Sequence, residues 1–429
     1  MRRTKNDLLE IWKGKNPKKP NRSGITKGVL CDLLKNEFKF QINSAVRKPL
    51  SIAVSKSDVK ANWKSRLKTL RGYIETTGRR TRVKVIGKGA QGTATLMRTT
   101  LVGGGGVLNF VEKMNIVIDE DYFVLSKFSK AFVRLLDNEE HVINDKSDYR
   151  TYDIIFKNKR ALTVEPMIEL AGLLLLSQCV TQRICPNFPI LYGAILSHDS
   201  IAFDMEAARG GDTFQKWAKT IRSELEWNSA LFQTLVGLHV MHTKFGMTHD
   251  DLHSGNVLVH EMPKASCGKD TYLHYRLLGY DFYIPTFGKL FILIDFGRIS
   301  AGNKMNIKWH RKLLDKEMKK IKDGLNTNEA YDYYRFVQCL IKSAPRVFKS
   351  YVLSMLQAFE VNATADVHAG ELLLSLFNSQ INGYTGNRCK GGCFDKRPKN
   401  TVIVGTYDTD KEFDKSMIPS TLQGLVKNN

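Results

Sequence analysis

The sequence has no long apolar run. Its longest, "LAGLLLLS" from Leu170 to Ser177, is far shorter than the ~20 residues a membrane-spanning helix needs. The start, "MRRTKNDLLE", is charged, and no apolar run follows it, so it does not read as a secretory signal. Cysteine is scarce, with seven scattered residues and no dense framework. That excludes a disulfide scaffold and suits free thiols in a reducing compartment. Cys389 and Cys393 form an isolated C-x3-C. Zinc asks for about four ligands, and no second pair is present. No internal repeat is found. These absences predict an intracellular, soluble protein with no membrane insertion.

What is present is a folded composition with an uneven charge. The 429 residues are 42% hydrophobic and 25% charged, as expected of a chain with a substantial core. The net charge is +22, of which +17 falls in residues 1–84 and +5 in all the rest. A basic region at 1–80 therefore precedes a nearly balanced body at 81–429. Such asymmetry suits contact with an anionic polymer such as nucleic acid, and equally suits a solvated tail. Within it, "NDLLEIW" and "ITKGVLCDLLKN" carry helical apolar spacing on either side of a turn-rich break. The pair, at about 5–36, somewhat resembles a SAP-type helix-linker-helix DNA-binding motif.

From Thr81 the pattern changes. "RVKVIGKGAQGTATLMRTTLVGGGGVLNFVEKM" predicts three strands broken by glycine-rich turns. A helix is expected over Glu165–Thr181, two more strands in "ICPNFPILYGAIL" and "SIAFDMEAA", and mostly helix after "RGGD". Strands first and helices later argue an α+β chain in two lobes.

Three stretches carry candidate chemistry. In "IGKGAQGTA", Gly87, Gly89 and Gly92 form G-x-G-x-x-G between strand-like runs. Glycine lets a backbone fold over phosphates and present its N–H groups. The following "TATLM" suits a strand, which favours a phosphate-covering hairpin over a dinucleotide-binding turn. Lys113 ends the third strand and can reach phosphate as a point charge. In "HDDLHSGN" and "ILIDFGR", Asp251, Asn256 and Asp295 offer a carboxylate to orient an acceptor hydroxyl and hard oxygen ligands for magnesium. Singly, each has a bland alternative: a hairpin, a surface lysine, a capped turn. The ordered set does not.

That set resembles protein kinases over most of Thr81–Arg346, and more narrowly the serine/threonine kinases of large DNA viruses, iridoviruses among them. The resemblance implies a β-rich N-lobe at about 81–207, a helical C-lobe at about 208–429, and transfer of phosphate from ATP to serine or threonine of proteins. It assigns Asp251 as catalytic base. Asn256 and Asp295 would bind Mg2+. Ile86, Gly87, Gly89, Gly92, Ala94 and Lys113 would enclose ATP. Glu206 and Ala207 would offer backbone groups to adenine, and Asp332 in "AYDYYRF" would brace the catalytic loop. The ion-pair partner of Lys113 is Glu169, with Glu165 as the alternative one turn earlier. A host-cytoplasmic or virion location follows from the resemblance alone.

Several family features are missing. Asp250 stands where arginine is usual before the catalytic aspartate. His253 stands where protein kinases carry lysine, as in aminoglycoside-type small-molecule kinases. No A-P-E follows D-F-G, so control by phosphorylation within Arg298–Lys312 is not expected. The stretch from Asn256 to Asp295 is long, and "YRLLGYDFYIPTFGKL" is expected to form an extra hairpin there. His249 is expected to pack as a structural brace and Asp250 to face solvent. A small-molecule kinase and a nucleic-acid-binding scaffold remain the alternative functions. The tail past Arg346 has no assignment.

Overall fold

The computed structural model describes residues 66, 80–88, 92–100, 106–116, 165–196, 200–221, 223–263, 271–301, 328–349, 352–353, 369–377, 394–417 and 426–427. The helical pair at 5–36, Gly89, Cys389, Cys393 and the segment 302–327 lie outside the described residues.

The three strands read from alternation all form: β1 (Thr81–Lys88), β2 (Gly92–Thr100) and β3 (Val107–Ile116). With β4 (Leu191–Leu196) and β5 (Ser200–Glu206) they build an antiparallel sheet in the order β1-β2-β3-β5-β4. Its register places Lys113 of β3 between Ala94 of β2 and Phe203 of β5.

Helix α1 (Glu165–Thr181) has the bounds expected from the sequence. Leu170, Leu173, Leu175 and Leu176 are all buried, so the helix has no wet face along this stretch. A Cβ at Gly172 would come within 2.5 Å of Ile299 Cδ1 and 3.2 Å of Phe296 Cβ. The α1 backbone therefore lies directly on the turn that follows Asp295.

After β6 (Asp212–Thr213) and the short α2 (Phe214–Trp217), α3 (Glu224–Phe245) runs through the centre of the core. Ser223 caps its start by accepting from Glu226 N, and Gly246 ends it in the left-handed region at φ 59°. Leu231, Leu235 and Leu238 are fully buried, as their stripe predicts, and most other α3 side chains are buried too.

Two antiparallel ladders then fix the polar loop at 249–256. β7 (Met247–Thr248) pairs with β12 (Ser300–Ala301), and β8 (Val257–Glu261) with β11 (Lys289–Leu293). Ile294 N continues the second ladder by donating to Asn256 O at 2.9 Å. The loop between β7 and β8 is thereby clamped beside the turn between β11 and β12, which carries Asp295.

The expected extra hairpin is β9 (Thr271–Leu277) with β10 (Tyr280–Pro285). The tail adds to it: β13 (Val402–Asp408) pairs parallel with β9, and Tyr283 N donates to Phe394 O at 2.7 Å. The unassigned C-terminal residues and the insertion thus share one three-stranded sheet. Helices α4 (Asn328–Ser343) and α5 (Ala369–Phe377) complete a mixed α/β fold with several antiparallel sheets. No helix among the described residues is long and apolar enough to cross a membrane.

The contact of α3 with β11 gives a stability prediction. A Cβ at Gly237 would sit 2.2 Å from Leu293 Cδ1, and Leu293 is fully buried. Alanine elsewhere in a helix gains up to ~1 kcal/mol over glycine. Here overpacking outweighs that gain, and Gly237→Ala is expected to destabilise by about 1–3 kcal/mol in urea denaturation. A stabilised variant would show that Leu293 yields freely.

Candidate functional site

The site is centred on Lys113, which β3 projects towards α1. Its Nζ donates to Glu169 Oε1 at 2.6 Å, Glu169 Oε2 at 2.8 Å and Asp295 Oδ1 at 2.8 Å. Of the two glutamates considered, Glu169 is the partner of the ammonium. Side-chain exposure rises from 3% at Glu169 through 23% at Lys113 to 46% at Asp295. The cluster is closed by α1 on one side and open on the Asp295 side.

Burial by itself would drive the Lys113 ammonium towards its neutral form, but Glu169 and Asp295 overcome it and hold the lysine well above the usual range. Burial also opposes the Asp295 charge, yet Lys113 draws this carboxyl below its ordinary value. Glu169 is pulled both ways, up by burial and down by Lys113, with the upward push larger. Lys113 Nζ nonetheless lies 2.6 Å from Glu169 Oε1. The bidentate contact favours the ion-paired form, because it supplies the hydrogen bonds that a buried charge requires.

The loop at 249–256 is held from beneath by α4. Asp332, with no exposed surface, accepts His249 N at 2.6 Å through Oδ2 and Asp250 N at 2.8 Å through Oδ1. His242 Nε2 lies 3.2 Å from Oδ2, and its Nδ1 is 2.8 Å from Tyr333 Oη. His249 is fully buried, with Nε2 3.0 Å from Ile294 O, so it ties the loop to the strand leading into Asp295. The expected brace is observed.

Asp250, expected to face solvent, is 7% exposed. Its backbone adopts φ 59°, which turns the amide into Asp332 and the residue inward. His253 Nδ1 accepts Gly255 N at 3.0 Å, a contact within the loop.

Asn256 donates from Nδ2 to Asp251 O at 3.0 Å. That bond fixes the amide orientation and leaves Oδ1 as its acceptor end. Asp251 is 20% exposed and faces two cations, Arg298 Nη1 at 3.4 Å and Arg335 Nη2 at 3.5 Å. Sequence reading missed both. Arg335 was within reach of it, since it stands three residues after Asp332 on one helix and so shares its face.

Among the described residues, no three His, Cys, Asp or Glu side chains converge on a metal-sized site. Asn256 and Asp295 supply two oxygen-bearing side chains. That fits magnesium, which keeps water and substrate phosphate as most of its ligands.

Part of the glycine-rich turn lies within the described residues. Gly87 faces Ala94 across the β1–β2 ladder next to a register shift, and Ile86, like most of β1, is exposed. A Cβ at Gly92 would meet Met114 O at 2.2 Å, so close approach of β3 already demands this glycine. At Gly87 a Cβ would meet only Ala94 Cβ at 3.8 Å, which is ordinary contact. At the end of β5, Glu206 N donates to Ile190 O at 2.9 Å, so this amide is already engaged. Ala207 follows it, half-buried.

No protein-family model matches the chain. A protein of Invertebrate iridescent virus 6 named "Probable serine/threonine-protein kinase" is 39% identical over 69 residues, 16% of this chain and 12% of the relative. A protein of Acanthamoeba polyphaga mimivirus named "Putative serine/threonine-protein kinase" is 31% identical over 144 residues, 32% of this chain and 29% of the relative. The chain thus spans under a third of the length of either relative. These weak, partial similarities mark it as kinase-like.

Proposed function

We propose that this chain is a two-lobed kinase that transfers the γ-phosphoryl group of ATP to serine or threonine hydroxyls of proteins. The observation that carries the reading is Lys113 held between Glu169 and Asp295. A lysine paired to a buried glutamate and a half-open aspartate is a prepared phosphate site, with its charge fixed and one side open.

The loop supplies the acceptor side. Asp251 would orient the hydroxyl and take its proton as the oxygen attacks the γ-phosphorus and the bond to the bridging oxygen breaks. Asn256 Oδ1 and Asp295 would hold magnesium, which neutralises charge on the phosphates when bound. Asp332 and His249 keep the loop in register with the Asp295 turn. Arg298 and Arg335 hold the Asp251 carboxylate at the open side. Glu206 O and the backbone of Ala207 remain the candidates for the adenine edge.

Protein substrates, ATP and magnesium are part of the proposal, as is nucleic-acid contact through the basic region at 1–80. The test is transfer from labelled ATP with magnesium, wild type beside Lys113→Ala, followed by phosphoamino-acid analysis. We expect phosphoserine or phosphothreonine from the wild type and a loss of about 10²–10³-fold in the variant. Turnover on a small alcohol with no label on any protein would turn the assignment to a small-molecule kinase. A Lys113→Ala variant as active as the wild type would end the kinase reading.

A further inference from the structure

We propose that Arg66 is a positioning residue for the nucleotide site, and that this residue works as part of the kinase body and not of a detachable basic arm. The inference rests on the kinase reading above.

Arg66 is 2% exposed. Its Nε donates to Glu206 Oε1 at 2.8 Å and Oε2 at 3.0 Å, and Nη2 donates to Oε2 at 2.7 Å. The other donors go to main chain: Nη1 to Pro186 O at 2.6 Å, and Nη2 to Phe188 O. Ile190 N adds a bond to Glu206 Oε2 at 3.4 Å. One guanidinium therefore ties together the 186–190 stretch before β4 and the last residue of β5. That last residue is where the chain leaves the five-stranded sheet, immediately before Ala207.

A second arginine, Arg80, repeats the pattern on Asp204, two residues before Glu206 on β5. Arg80 pairs with Asp204, which is fully buried, and with Glu112 at 3.3 Å, while its guanidinium lies 5.0 Å from the Phe110 ring centre. Asp204 and Glu206 are i and i+2 on β5, so their side chains leave one face of the strand. Phe110 and Glu112 oppose them in register. Lys113 falls on the other parity. Arg66 and Arg80 thus anchor to the face of the sheet away from Lys113, and act on the nucleotide through Glu206 rather than by touching it.

The chemistry makes Arg66 hard to replace. Burial opposes the Glu206 charge, and Arg66 more than offsets it, holding the carboxyl below its usual range. Beside Arg66, His260 adds no second cation. Burial, with Arg66 and Arg209 beside it, brings its pKa down to about 4 despite Glu206, so it is neutral at pH 7. The other titratable groups beside Arg66 include Tyr192, Tyr275, Tyr407 and Cys185, and none of these four supplies a cation. Without Arg66, the buried Glu206 carboxylate loses its cation, keeping the 3.4 Å bond from Ile190 N, and two buried carbonyls lose a donor at the point where adenine would dock.

The test is ATP affinity by calorimetry, with KM and kcat, on the full chain and on Arg66→Met, Arg66→Lys and the double variant Arg66→Met/Glu206→Met. Thermal melts run beside each. We expect Arg66→Met to weaken ATP binding about tenfold to a hundredfold, the scale on which small misplacements cost function, with kcat much less affected. Arg66→Lys should recover little, since an ammonium lacks the fork. The double variant removes the unpaired buried charge, so its melting temperature should recover while ATP affinity stays low. Deleting residues 1–60 should leave affinity intact, and deleting 1–80 should abolish it.

Wild-type affinity in Arg66→Met would overturn the proposal. So would affinity that returns with stability in the double variant, because that is the mark of a merely structural pair. Should Arg66→Met fail to fold, Arg66→Lys and the double variant decide by the same criteria. A wild-type chain that binds no ATP overturns the kinase reading itself, and that result is read before any variant is compared.

Discussion

Asp251→Asn is expected to lower kcat by about 10²–10⁴-fold, the range contributed by a positioned general base, with KM for ATP nearly unchanged. The substitution suits this question because the loop does not depend on the carboxylate for its shape. Asn256 holds the main-chain oxygen of Asp251, not its side chain. His249 and Asp250 are fixed by their own amides on Asp332. The groups the carboxylate does meet, Arg298 and Arg335, are partly exposed, and water can solvate them when it is neutralised. The variant should therefore melt close to the wild type. Single-turnover phosphate transfer, with ATP affinity measured separately, checks both halves. Activity within about tenfold of wild type would remove Asp251 from the role of base and leave it as a tether for the two arginines.

How much of this was readable beforehand depends on the range of the interaction. The strands β1 to β3, the bounds of α1 and the hairpin β9–β10 follow from periodicity and turn residues, which are local. The order of the motifs brought Lys113, Asp251, Asn256 and Asp295 forward as a set. The choice between Glu165 and Glu169 did not follow, because residues four apart share a helix face. Arg66 could not be found at all. It is one basic residue among many before Lys84, and its partner Glu206 is 140 positions away. The pairing of β13 with β9 is likewise non-local. Asp250 shows a further limit. A charged residue in a polar loop reads as exposed, and only the left-handed backbone at φ 59° turns it inward.

Asp332→Ala is expected to destabilise the fold by roughly 3–5 kcal/mol, the cost of removing one member of a buried polar network. The cost comes from unsatisfied donors. Asp332 has no exposed surface, and its two oxygens accept the amides of His249 and Asp250. Alanine leaves both amides without that acceptor, at about 1–3 kcal/mol each. His242, 3.2 Å away, loses the same partner and keeps Tyr333. The positive φ of Asp250 adds strain that the bond from its amide to Asp332 helps to offset. Once they are gone the loop relaxes, and Asp251 leaves its place with it. Activity should therefore fall together with stability, unlike Asp251→Asn, where activity falls alone. Asp332→Asn keeps one acceptor oxygen but turns an amide donor towards a backbone N–H, so it should lie between alanine and the wild type. Urea denaturation and kcat measured on the same preparations test the coupling. A stable Asp332→Ala with normal turnover would show that the ladders β7–β12 and β8–β11 hold the loop without α4.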